Sequence, residues 1–218
     1  NIDLKCLSVH IGSQILDHKP YEKMLKVLDK IIKKSNYKFE FIDLGGGMGI
    51  SYEQDNKKLN YKKYNFAIQK FLKKHKSKII FEPGRSIVGD IGSLISQVIY
   101  IKQNDKKDFI ILDAAMNDLM RPALYGAKHQ IIPSIKNKKT INKIFEFVGP
   151  ICESTDKFLT TNKFQNLKEG DILLICDVGA YGVSLGSNYN VRPLPAEILI
   201  KNSKILTIKN RQKLSDII

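Results

Sequence analysis

Over residues 1–82 short apolar runs alternate with two stretches of helical period, and beyond them that period disappears. The opening residues "NIDLKCLSVHIGSQ" read as a buried strand already under way, centred on "LKCLSVHIG". Pro20 then opens "PYEKMLKVLDKIIKKS", in which Met24, Leu25, Leu28, Ile31 and Ile32 share one face. "FEFIDL" (39–44) is a second strand and runs into "GGGMG". A second amphipathic helix, "YKKYNFAIQKFLKKH", and a third short strand, "KIIFE" (78–82), follow. Strands and helices alternating at this spacing specify parallel βα units. After Glu82, "SLISQVIYIK", "DFIILDA", "KIFEFVGP", "DILLICDVG" and "AEILIKN" are strand-like runs separated by turns, the pattern of an antiparallel β domain. The expected boundary lies near residue 86, with a βα portion over 1–86 and a β portion over 87–218. Three strands and two helices neither close a barrel nor cover a sheet on both faces, so the βα portion is incomplete by itself.

Composition narrows the function classes. At 218 residues and 43% hydrophobic, the chain can bury a core as one large domain or two small ones. No apolar run reaches the roughly 18–20 residues that span a bilayer. No signal segment opens the chain and it does not begin with Met, so further sequence is expected upstream. A formal net charge of +14 invites a nucleic-acid or anionic-membrane reading. The positive residues, however, are mostly lysines scattered over helical faces and loops, with no Arg-rich or aromatic-interleaved stripe. Neither nucleic acid nor membrane is therefore expected as a partner.

Against that lysine background only four arginines stand, Arg85, Arg121, Arg192 and Arg211. Three lie in Gly/Pro-containing motifs, where a planar bidentate guanidinium suits a carboxylate or phosphate. They are the first candidates for anion recognition. Cys6, Cys152 and Cys176 are too few and too dispersed for a disulfide framework or a zinc site, and no metal is expected. Cys6 and Cys176 sit in apolar runs and read as core residues. The chain reads as reduced and cytoplasmic.

Each of the three early strands ends in a motif. "HIGSQ" (10–14) presents His10, "DLGGGMGI" (43–50) a glycine triplet whose N–H groups can approach an anion, and "FEPGRSIVGD" (81–90) an acid, a turn and an arginine. Each motif alone has an ordinary structural explanation. Three successive strand ends that converge on one site do not. The β portion adds "DAAMNDLMRPALYGAKH" (113–129), "GPICESTD" (149–156) and "DVGAYGVSLGSNYNVRPLPAE" (177–197). Cys152 directly beside Glu153 suits neither a structural nor a nucleophilic thiol, because like charge disfavours the thiolate.

These six segments, in this order and over essentially the whole chain, resemble the diaminopimelate decarboxylases, pyridoxal-phosphate enzymes of the alanine-racemase-like barrel class. Ala115 in "DAAMN" and Gly186 in "SLGSNYN" are small departures that touch no chemical group. The resemblance implies the C-terminal part of a TIM (β/α)8 barrel followed by an antiparallel β-sandwich or Greek-key barrel domain. It implies pyridoxal 5'-phosphate as cofactor, held by Gly45, Gly46 and Gly47, the Pro83-Gly84-Arg85 turn, and the hydroxyls of Ser13 and Tyr189. His10 would stack on the ring, and Glu82 would pair with its nitrogen. Arg85, Arg121 and Tyr125 would clamp the far carboxylate of meso-diaminopimelate, with Glu153 on its far ammonium and Tyr189 also at the substrate. Cys152 would be the proton donor, kept protonated by Glu153, and the Cys152–Glu153 pair would act in the partner's site of a homodimer. The family's Schiff-base lysine lies in a part absent from this chain, which is expected to be inactive alone. A sibling ornithine, arginine or carboxynorspermidine decarboxylase and a lysine-free non-catalytic homologue remain as alternatives.

Overall fold

Three strands begin the first unit in a common register: β1 (Cys6–Ser8), β2 (Phe41–Asp43) and β3 (Lys78–Ile80). They are parallel, in the order β1-β2-β3, with Ser8, Asp43 and Ile80 at the same level. A computed structural model of the chain describes residues 2–52, 57–136 and 139–218. Helices α1 (Lys19–Ser35) and α2 (Tyr61–His75) follow β1 and β2 and pack on each other. Asn60 caps α2, its side chain accepting from the Lys63 N–H at 3.0 Å, which satisfies one of the donors a helix start leaves open. The buried face of α1 is Tyr21, Met24, Leu25, Leu28 and Ile32. Ile31, expected in that stripe, lies at its margin and is exposed, and Tyr21 fills the core instead. These residues join Ile42, Leu44, Tyr64, Ile68 and Phe71 in one core.

The opening strand and two of the thiols depart from expectation. β1 is short and, among the described residues, pairs with β2 alone; where a buried strand was expected, Leu4 and Cys6 are exposed in this chain. Cys6 is therefore no core thiol, and Cys176 is only half-buried.

The chain divides into two compact units, Asn1–Asp90 and Ile91–Ile218. A one-turn helix α3 (Arg85–Val88) lies near the end of the first. The second holds a six-stranded sheet of β4 (Leu94–Gln103), β5 (Lys107–Leu112), β6 (Ile131–Pro133), β7 (Thr140–Val148), β8 (Lys157–Gln165) and β9 (Ile172–Ile175). Their order is β6-β9-β4-β5-β7-β8. A separate antiparallel hairpin is formed by β10 (Glu197–Lys201) and β11 (Lys204–Lys209).

The sheet is not purely antiparallel as expected, because β5 and β7 run parallel. A parallel neighbour needs a long crossover. The chain between the two strands supplies it, and its described residues carry the five-residue helix α4 (Arg121–Tyr125) and β6. Val98, Ile110, Leu112, Phe145, Phe147, Leu173 and Ile175 form the core of this unit.

Candidate active site

The common register of β1, β2 and β3 brings their carboxyl ends level, and the ladder continues past the strands. Val9 N–H donates to the Asp43 carbonyl at 2.9 Å, Leu44 N–H to Ile80 at 3.0 Å, and Glu82 N–H to Gly45 at 2.9 Å. His10, the glycine triplet and the Glu82–Arg85 turn are thereby gathered at one edge. The triplet packs backbone on backbone. A Cβ on Gly46 would stand 2.2 Å from the Glu82 carbonyl oxygen, and one on Gly47 would stand 2.3 Å from that of Gly12. Gly45 and Gly47 also have positive φ, which glycine adopts without steric cost.

Two of the triplet's N–H groups already have partners within the chain. Gly45 donates to the buried Asp43 carboxylate at 2.8 Å, and Gly46 makes a long 3.4 Å contact to His10 Nδ1. Asp43 also accepts from Ser8 Oγ, and the Tyr21 hydroxyl donates to the Gly46 carbonyl. The motif thus closes three loops on one another. His10, Ser13, Glu82, Pro83 and Gly84 stay exposed beside it. Arg85, half-buried, opens α3 behind the Gly84 cap and donates to Ser13 Oγ at 3.3 Å and to the Tyr52 hydroxyl. Its guanidinium also lies over the Tyr52 ring. An imidazole, an exposed acceptor carboxylate and a hydroxyl–guanidinium donor pair at one edge form a set of polar groups that fits an aromatic ring carrying a phosphate. Tyr52, which steadies Arg85, carried no signal in the sequence.

In the second unit Arg121 opens α4 and is buried, donating through Nη1 to His129 Nε2 at 2.8 Å. His129, also buried, contacts the Cys176 carbonyl through Nδ1 at 2.8 Å. A carbonyl only accepts, so Nδ1 carries the proton and Nε2 is free to accept from the guanidinium. His129 stood in the quoted "YGAKH" without being given a role; its signal was the proximity to Arg121. Tyr125, four residues after Arg121, is exposed.

Arg192 proves to be occupied within the chain. It donates to Asn117 Oδ1 at 2.9 Å and to the Asp113 carbonyl, and lies 3.7 Å from Asp118. Scarcity marked it as an anion binder, but three internal acceptors take up its planar fork. Burial pushes the Asp118 carboxyl up from its ordinary range, against the pull of the Ala115 N–H and of Arg192.

Cys152 and Glu153 are exposed on the loop between β7 and β8. The Tyr189 hydroxyl donates to Glu153 at 2.6 Å. Cys152, Glu153 and Tyr189 therefore gather in the second unit. Glu153, expected beside the thiol and at the substrate's far ammonium, also accepts the Tyr189 hydroxyl, a partner its motif does not show. Losing that bond on ionisation, together with repulsion from the carboxylate, raises the Tyr189 pKa above the ordinary tyrosine value. No group of three or more potential metal ligands occurs among the described residues.

Comparison with known proteins gives this geometry a context. Residues 15–179 match the family described as pyridoxal-dependent decarboxylase, C-terminal sheet domain. Over 216 residues the chain is 38% identical to a diaminopimelate decarboxylase of Aquifex aeolicus, covering 97% of the chain and 51% of that protein. A Helicobacter pylori protein of the same name is 42% identical over 213 residues, covering 95% and 52%. The crystal structure of diaminopimelate decarboxylase from Helicobacter pylori complexed with L-lysine superposes with a TM-score of 0.86 at 40% identity, over 97% of the chain and 53% of that structure. A Selenomonas ruminantium lysine decarboxylase structure shares the fold, with a TM-score of 0.73 at 24% identity over 86% of the chain and 50% of that structure. The chain spans about half the length of the relatives it matches. With a family match across more than half of its residues, the chain belongs to the pyridoxal-dependent decarboxylases.

Proposed function

We propose that this chain forms part of a diaminopimelate decarboxylase, which releases CO2 from meso-2,6-diaminopimelate to give L-lysine. The observation that carries the reading is the convergence of His10, Ser13, Glu82 and Arg85 on the carboxyl ends of three parallel strands in register. Relatives of that name, about 40% identical over nearly the whole chain, support it.

Pyridoxal phosphate, when bound, supplies an electron sink for the carbanion left as CO2 departs. The chain's own residues bind, orient and protonate. Gly45, Gly46 and Gly47, with the backbone of Gly84 and Arg85, would hold the phosphate, and Ser13 and Tyr189 would add hydroxyls. His10 would lie against the ring face. Glu82 would hold a proton on the ring nitrogen, because a carboxylate there favours the charged pyridinium. Arg85, Arg121 and Tyr125 take the substrate's far carboxylate, and Glu153 its far ammonium. Cys152 delivers the proton to the carbon that lost CO2, which requires a neutral thiol.

The three-stranded parallel sheet is read as the last strands of a (β/α)8 barrel, since three strands leave both edges open. The second unit is read as the family's β-sandwich or Greek-key domain. A homodimer with shared sites follows from the same reading, with Cys152 and Glu153 serving the partner's site. A sibling decarboxylase acting on ornithine, arginine or carboxynorspermidine is the second reading. It is disfavoured because such substrates need no clamp for a far carboxylate, which Arg121 and Tyr125 would supply.

Incubating the intact enzyme that carries this chain with meso-diaminopimelate, ornithine and arginine separates the readings. L-lysine from the first alone is the expected result; a diamine from ornithine or arginine overturns it. The 218-residue chain by itself is expected to release no CO2.

A further inference from the structure

Cys152 and Glu153 lie on an eight-residue connection with no helix or strand of its own, residues 149–156 between β7 and β8. Chemistry that depends on a thiol at a set position needs that connection held still. Its anchor is a side chain to which the proposed mechanism gives no role. Asp156 is 3% exposed, and its two carboxylate oxygens are committed to different segments. Oδ2 accepts the N–H of Ile151, the residue immediately before Cys152, at 2.8 Å. Oδ1 accepts the N–H of Met116 at 2.7 Å, in the segment that leaves β5 and leads into Arg121. Both distances lie in the short range of charge-assisted bonds.

The backbone cooperates. Gly149 N–H donates to the Asp156 carbonyl at 3.0 Å, Asp156 N–H to Glu153 at 3.1 Å, and Glu153 N–H to Ile151 at 2.8 Å. Gly149 is glycine for lack of space: a Cβ there would stand 2.3 Å from one carboxylate oxygen of Asp156 and 2.5 Å from the other. Burying the carboxylate raises its pKa, so desolvation outweighs the two N–H bonds that favour the charged form.

We propose that Asp156 is a positioning residue, whose single carboxylate ties the loop bearing Cys152 and Glu153 to the segment leading into Arg121 and so fixes the point from which the proton is delivered. The proposal rests on the decarboxylase reading for its chemistry, but the tie itself can be measured without that reading.

The test uses Asp156→Asn, Gly149→Ala and, as a control in the same loop, Ser154→Ala in the intact enzyme. Asp156→Asn turns an acceptor into a donor facing an N–H. Gly149→Ala keeps the aspartate but its added Cβ displaces the carboxylate. Three quantities are read: bound cofactor, kcat for lysine, and lysine formed per CO2 released. In both loop variants kcat is expected to fall roughly 10–100-fold, the cost of misplacing a reacting group by about 1 Å. Total cofactor content is expected to hold, and CO2 is expected to exceed lysine, the shortfall appearing as the aldehyde formed when the proton goes to the cofactor carbon and the amino group stays there as pyridoxamine phosphate. Ser154→Ala keeps one lysine per CO2. A parallel loss of cofactor and activity in both loop variants, with one lysine still formed per CO2, overturns the proposal in favour of a purely structural aspartate. So does unchanged kcat.

If the intact wild-type enzyme releases no CO2 from diaminopimelate, the decarboxylase reading fails, and amide hydrogen exchange in this chain still decides the tie. Faster exchange at both Met116 and Ile151 in Asp156→Asn supports it; protection unchanged at both overturns it.

Discussion

Tyr189 loses the bond it donates to Glu153 when it ionises, and the new phenolate then sits against a carboxylate, which is why its pKa is raised. At neutral pH the phenol stays protonated and occupies one oxygen of Glu153. Glu153→Gln removes the charge and is expected to lower the Tyr189 pKa towards the ordinary value, followed by NMR of Cζ-labelled tyrosine with Tyr189→Phe for assignment. In the intact enzyme the same substitution should raise KM for diaminopimelate more than it lowers kcat. Cys152→Ala should show the reverse split, with protonation crippled and binding kept. His129→Ala removes the acceptor of a charge-assisted bond from Arg121, a loss of about 1.5–3 kcal/mol measurable by urea unfolding of the chain. The motifs made Arg121, Cys152, Glu153 and Tyr189 legible as residues, but not their partners. The Glu153–Tyr189 bond joins positions 36 residues apart, and nothing in either motif states that they meet.

Among the elements, α1 and α2 were readable because their apolar period is strong and Pro20 marks the start of α1. β6, β8 and β11 were not. β6 is three residues ending in a proline, while "KFLTTNKFQ" and "KILTIK" are polar enough to pass for loops. β8 sits at the sheet edge and β11 pairs only with β10, and such strands need no continuous apolar face. The parallel pairing of β5 with β7 was hidden for another reason: strand direction depends on what the crossover does, not on the strands' own residues.

The link between α1 and α2 makes a pH expectation. Asp29 accepts from His75 Nε2 at 2.8 Å and from Lys33 at 3.0 Å, which lowers its pKa to about 2, chiefly through the Lys33 bond and then through His75. A carboxyl depressed in the folded state stabilises it fully above its unfolded value and loses that contribution as pH falls towards about 2. Acid titration of thermal stability should show this slope in the wild type and a shallower one in Asp29→Asn. Gly46→Ala probes the other functional element of this unit. Its Cβ would strike the Glu82 carbonyl, forcing the loops after β2 and β3 apart at a cost of about 1–3 kcal/mol. Weaker binding of pyridoxal phosphate, read by cofactor titration of the intact enzyme, is expected with it.

For the whole molecule, the sequence showed a change of architecture partway along the chain, and the structure divides into Asn1–Asp90 and Ile91–Ile218. Each unit carries a different part of the proposed chemistry: the first the exposed His10, Ser13 and Glu82 with Arg85, the second Arg121, Cys152, Glu153 and Tyr189. The chain spans about half the length of its relatives, so turnover belongs to a longer protein in the proposed reading. The measurement that tests the central claim most directly is product analysis of the intact enzyme supplied with pyridoxal phosphate and meso-diaminopimelate. One L-lysine per CO2, with no diamine from ornithine or arginine under the same conditions, is the expected result. A diamine from ornithine at comparable kcat/KM, or no CO2 from diaminopimelate at all, would contradict it.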